Sequence, residues 1–191
     1  HKGVIKVSSP KGRGIQMNAG AKQATGRILL FLHADTFLPV NGLELICYSL
    51  SKNNIVAGAF DLGINSEIKY YRIIEKTASI RSRLTGVPYG DQAIFVKKDY
   101  FFSIKGFQEI PIMEDVDFMG RIKKHRRKII TLPLKVSTSS RRWETDGVLC
   151  GTLRNWLLMI LYLVGTSPEK LAVFYKYKPI KKNCIMKNCK E

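Results

Sequence analysis

Apolar positions along the chain fall into two kinds of run. Residues 28–32 (Ile28, Leu29, Leu30, Phe31, Leu32) are continuously apolar, which suits a strand buried on both faces of a helix-covered sheet. Residues 56–64 (VAGAFDLGI), 93–96, 129–132 and 136–138 read as further strands, and residues 4–7 form a short β-like run. Between them, helical patterning predicts helices near 15–24, 42–51, 68–84, 99–104 and 116–124, with Gly26 and Gly106 as stops. Strands alternating with helices predict an α/β fold with a mixed sheet. Further on the pattern turns helical. Residues 156–164 are apolar throughout, and a second helix starts at Ser167 with Pro168 in its first turn. The expected organisation is an α/β domain over 1–145, a helical segment over 146–177, and a basic, disordered tail over 178–191.

Composition narrows the picture. A chain of 191 residues that is 45% hydrophobic can bury one proper core. Its 32 Lys and Arg against 15 Asp and Glu leave a formal net charge of +17, which favours an anionic partner: nucleotide phosphates, nucleic acid or an acidic lipid surface. Cys47, Cys150, Cys184 and Cys189 are too scattered for a disulfide scaffold, and Cys184 with Cys189 lacks the second pair of a zinc site, so a reduced, cytoplasmic setting is expected. No signal peptide is visible, and no apolar segment reaches the roughly 20 residues that span a bilayer. The first residue is His1 rather than Met, and a piece of a longer protein is expected.

Three places carry candidate chemistry. Asp35 follows the Ile28 strand, at the carboxyl edge where open α/β sheets bind ligands; the alternative is a polar residue capping the turn before Pro39. Residues 8–14 (SSPKGRG) form a basic, glycine-rich loop ahead of a helix. Amides at a helix start beside Lys11 and Arg13 suit phosphate, and an ordinary turn with solvated charges is the alternative. Glu114 and Asp115 stand where a loop enters a helix, whose positive end stabilises ionised carboxylates. Such a carboxylate is a ready base in a cleft, although acidic first turns are common without catalysis.

Taken in order, GRGIQMNAGAKQATG, LLFLHADTFLP, PYGDQAIFV, IPIMEDVDF and SSRRWETDGVL resemble the family 2 glycosyltransferases of GT-A fold, specifically the bacterial subgroup with HADT in the metal-binding position. The resemblance covers about residues 8 to 175. It implies a GT-A, Rossmann-like mixed sheet flanked by helices, and transfer of a sugar from a nucleotide-diphosphate donor to an acceptor hydroxyl. It further implies that Asp35, in the DxD-type motif His33, Ala34, Asp35, holds Mg2+ or Mn2+ against the donor diphosphate. Arg13, Gln16 and Asn18 would line the donor side, with Asp35. Gly90, Asp91 and Gln92 would form the acceptor side. Asp115 would be the catalytic base, with Glu114 beside it. Arg142 and Trp143 are similar to the end of the QxxRW motif of processive members, and are placed with the acceptor.

Two departures shape what the resemblance implies. Family members begin with a strand and an acidic turn that grip base and ribose, and this chain starts after them, so an N-terminally truncated fold is expected. Ser139 stands where processive enzymes carry Gln, and His33 replaces the first DxD carboxylate, so transfer of single sugars is expected. The tail adds a localisation. Residues 176–191 hold six Lys and one Glu, and basic charge after an apolar, Trp-containing helix suits the inner face of an anionic membrane, bound peripherally, with a lipid-linked acceptor; a core helix with a disordered basic end is the alternative. Two other classes stand beside the enzyme: an inactive fragment kept as a scaffold, and a nucleic-acid module suggested by RIKKHRRK at 121–128, a run that is more simply the solvated end of a helix.

Overall fold

In the computed structural model, which describes residues 3–52 and 54–175, the apolar run at Ile28 becomes the edge of a sheet. The chain divides into two units, residues 1–140 and 141–191. In the first, β1 (Ile28–Phe31), β5 (Ile94–Lys97), β3 (Ile55–Asp61) and β6 (Lys128–Lys135) form a four-stranded sheet in the order β1-β5-β3-β6. Among the described residues β1 pairs only with β5, Phe31 opposite Ile94, and of its four residues Leu29 alone is buried. The expectation of a strand covered on both faces holds instead for the interior β3, where all seven residues are buried.

Direction matters more than order here. β5 runs antiparallel to both β1 and β3, while β6 is parallel to β3. The sheet is therefore mixed, as expected, and the carboxyl ends of β1 and β3 share an edge with the amino end of β5. Asp35, Asp61 and the turn Gly90–Gln92 accordingly gather there.

Helices cover both faces. On one, α1 (Arg13–Gln23), α4 (Lys98–Ser103) and α5 (Glu114–Lys124) set Ala21, Phe101, Phe118 and Ile122, with Phe107 from the loop between α4 and α5, against Val96 and Ala57. Phe107 lies 4.6 Å from Phe118 and 4.8 Å from Phe31, ring centre to ring centre. Burying each such ring contributes about 1.5–3 kcal/mol. On the other face, Ile46 and Leu50 of α2 (Gly42–Ser51) pack with Phe60, Phe95 and Leu132. The alternation of Ile94 and Val96 with Ala93 and Phe95 between these two clusters is the period of two that a pleated strand imposes.

The run expected as one strand over 56–64 is split. β3 ends at Asp61; Leu62 and Gly63 belong to neither strand, and β4 (Ile64–Asn65) joins a second small sheet in the order β2-β7-β4, with β2 (Thr36–Phe37) and β7 (Ser137–Ser139). The register shifts between Phe60 and Asp61, and the chain passes so close at the break that a side chain at Gly63 would run into the Val136 carbonyl. Residues 4–10 carry neither helix nor strand, against the β-like reading of 4–7. Val4 and Ile5 are about 70% exposed, and an extended run without a partner strand has no ladder to stabilise it. Helix α3 (Tyr70–Thr85) follows β4 and leads to the 3₁₀ turn Gly90–Gln92.

The second unit holds α6 (Arg141–Asp146), α7 (Val148–Leu163) and α8 (Pro168–Phe174). Leu158 and Leu171 are its buried anchors. No described helix is long and apolar enough to cross a membrane. The basic tail expected over 178–191, with Cys184 and Cys189, lies outside the described residues.

Candidate active site

The turn after β1 is closed by a bond from the Thr36 N–H to the His33 carbonyl at 3.1 Å. Thr36 is buried, its hydroxyl 3.0 Å from that of Thr138, and the Ser139 N–H donates to the Asp35 carbonyl at 3.1 Å. This clamp of β2 on β7 holds Asp35 at the sheet edge while its side chain stays exposed.

Across the edge, the turn Gly90–Gln92 is fastened from below. Gln92 is fully buried. Its Oε1 accepts from the Ser82 hydroxyl at 2.6 Å and the Tyr89 N–H at 3.1 Å, and its Nε2 donates to the Phe60 carbonyl at 2.9 Å. Expected on the acceptor side, this side chain is committed to joining α3, the turn and β3. The Arg81 guanidinium carbon lies over the Tyr89 ring, 3.4 Å from its centre, and Arg81 donates to the Val87 carbonyl. Burial lowers the Arg81 pKa and raises that of Tyr89.

The acidic pair enters from α5 as the first two residues of the helix. Asp115 is buried, and its carboxylate accepts the Gly90 N–H at 2.6 Å on Oδ2 and the Val116 N–H at 2.8 Å on Oδ1. A methyl group on Gly90 would sit 3.2 Å from both Asp115 Oδ2 and His33 Nε2. His33, Gly90 and Asp115 thus converge from β1, the turn and α5.

Glu114 is 1% exposed, and its Oε2 has no hydrogen-bond partner among the described residues. Its Oε1 is 2.6 Å from Arg13 Nε. Burial raises the Glu114 pKa, the neighbouring charge of Asp115 raises it further, and Arg13 pulls the other way. For Arg13, burial works to lower the pKa, but Glu114, Asp115 and Asp91 outweigh it and the net shift is upward. The guanidinium that the loop reading offered to phosphate is therefore already part of an acidic cluster, although its side chain remains 47% exposed.

The other expected donor-side residues divide. Gln16 is exposed and borders a cavity of about 410 Å³ between α1 and β1, which runs from Arg13 to His33 over Met17 and Leu29. Asn18 does not face it as a free amide: Nδ2 donates to the Phe107 carbonyl at 2.8 Å, and Oδ1 accepts the Phe107 N–H at 3.0 Å. Arg142 and Trp143 belong to α6 in the second unit, and the Arg142 side chain lies outside the described residues.

The family described as Glycosyl transferase family 2 matches residues 2–110. The chain belongs to the family 2 glycosyltransferases. No curated protein sequence matches it. The mixed sheet flanked by helices is consistent with the GT-A fold of these glycosyltransferases. The family match takes in Arg13, the Asp35 turn and Gly90–Gln92, and it ends before Glu114 and Asp115. The acidic pair is tied to the matched part of this glycosyltransferase at two points, Asp115 by the Gly90 N–H and Glu114 by Arg13.

Sequence reading missed Arg81 and Ser82 as supports of the turn. No local pattern marks them, because their partners lie at positions 87 to 92 across a helix end. His33 was read only as a substitute for a DxD carboxylate, and its proximity to Gly90 arises from β1 and β5 being neighbours. Arg121, inside the basic run, is spent on Asp117 at 2.7 Å and on the carbonyls of Ile104 and Gly106; that run is partly structural.

Proposed function

We propose that this family 2 glycosyltransferase moves a single sugar from a nucleotide-diphosphate donor to an acceptor hydroxyl, with a divalent metal. The observation that carries the reading is the convergence of Asp115, Gly90 and His33 on the sheet edge that also bears Asp35.

Among the described residues no group of three or more His, Cys, Asp or Glu could form a metal cage. An exposed single carboxylate at a strand end still fits magnesium or manganese, which pair one or two carboxylates with substrate phosphate oxygens. Asp35 would hold such an ion together with the diphosphate, and the charge neutralisation it supplies favours the leaving group. Asp115 takes the proton of the acceptor hydroxyl as that oxygen bonds to the anomeric carbon and the bond to the diphosphate breaks. Two backbone amides fix the carboxylate in place without consuming all its lone pairs. Gln92 and Arg81 keep the Gly90 amide where Asp115 meets it. Ser139, in place of the processive glutamine, is consistent with one sugar per encounter.

The test is sugar release from a panel of uridine and guanosine diphosphate sugars, with manganese and with chelator. Metal-dependent release that Asp35→Asn abolishes is the expected result. Release equal in chelator, or unchanged in Asp35→Asn, overturns the metal role.

A further inference from the structure

We propose that the outer face of α7 docks on an anionic lipid surface, lying along it rather than crossing it. Leu153, Trp156, Leu157, Ile160, Leu163 and Val164 are between 53% and 73% exposed. Their spacing of three, four and seven residues places them on one stripe of the helix. Leu158 and Gly151 are buried on the opposite side. This is the pattern of an interfacial helix: too short to span, apolar on its outer side, with an aromatic residue in the stripe. A contiguous exposed apolar surface of this kind marks a contact site.

Charge selects the occupant. The Arg154 guanidinium of α7 lies 5.3 Å from the Tyr175 ring centre just after α8, so the last described residue before 176–191 is held against α7. Those residues carry six Lys and one Glu. An exposed apolar stripe followed in the chain by a lysine-rich segment complements an anionic bilayer, which rewards both. A second copy is the poorer fit, because two chains of formal charge +17 repel. The inference goes beyond sugar transfer and stands whether or not the chain transfers sugar.

The experiment is flotation of the full chain with vesicles of phosphatidylcholine containing phosphatidylglycerol, against vesicles of phosphatidylcholine alone. Binding is expected to the anionic vesicles, weakened by salt through screening, and reduced on the order of fivefold for each lysine charge withdrawn from the surface. Leu157→Ser with Ile160→Ser, both outward positions, is expected to weaken it at least about tenfold. Independently of those substitutions, Trp143→Phe leaves Trp156 as the sole tryptophan, and its emission is expected to be quenched by phosphatidylcholine with brominated acyl chains in the anionic vesicles. Unquenched Trp156, equal binding by the double variant, or a stripe-dependent dimer that ignores vesicles would each overturn the proposal.

Discussion

The Gly90 amide donates to Asp115 Oδ2 at 2.6 Å, and this one bond joins the turn before β5 to the start of α5. It orients the carboxylate beside residue 90, where an added Cβ would press on both Asp115 and His33 at 3.2 Å. Asp115→Asn keeps the shape and still offers an oxygen to Gly90, yet cannot take a proton. Transfer at saturating donor is expected to fall by roughly 10² to 10⁴, with donor affinity preserved. Kinetics paired with calorimetric donor titration checks this. Full activity in the variant would refute the base assignment, and loss of donor binding would point to a structural role.

Glu114 predicts a pH dependence. Its folded pKa lies above the ordinary value of 4.5 because of burial and Asp115. Between the ordinary and the folded value the folded state holds more protons than the unfolded chain, so stability falls as pH rises through that interval. Glu114→Gln removes this term, and with it the charge that Arg13 meets. Unfolding midpoints of the two proteins, measured from pH 4.5 upward, are expected to shift in favour of the variant as pH rises. A constant difference would show that Glu114 does not titrate in that interval. Its effect on transfer is expected to be smaller than that of Asp115→Asn.

Gly14→Ala tests the seat of α1. Gly14 is buried, and an added Cβ would run into the Gln108 carbonyl oxygen and approach Glu114 Cβ at 3.6 Å. Backbone cannot yield as a side-chain tip can, so a loss of about 1–3 kcal/mol is expected, as for overpacked cores. Urea titration reads it. Unchanged stability would mean that α1 shifts freely against the 108 loop.

Gln92→Leu tests the turn's footing. The substitution leaves the Ser82 hydroxyl, the Tyr89 N–H and the Phe60 carbonyl without their partner, at about 1–3 kcal/mol for each buried group that stays unpaired. Stability is expected to drop, and the Gly90 amide to exchange faster with solvent. Native exchange rates at Gly90 would expose the alternative, a turn held by Arg81 and Tyr89 alone.

Much of the local structure was legible because hydrophobic period and capping are local properties. Helix α2 begins and ends where patterning placed it, and β5 and α4 lie within a residue or two. Glu114 and Asp115 were expected at a helix entrance and stand in the first turn of α5. Burial was harder. An apolar run states how a strand prefers to be solvated, but whether it lies inside or at an edge depends on its neighbours, and β1 has β5 on one side only.

The amino-acid sequence by itself determined the succession of strands and helices, the excess of positive charge, and the set of residues with chemistry to offer, because these follow from side-chain type and short-range spacing. Only the tertiary structure decided which of them meet. Residues 33, 90 and 115 are distant along the chain and adjacent in space because β5 runs against β1 and α5 starts at the same edge. Packing likewise committed Asn18 and Gln92 to holding backbone, since an amide drawn out of water must be satisfied by whatever groups packing brings within reach.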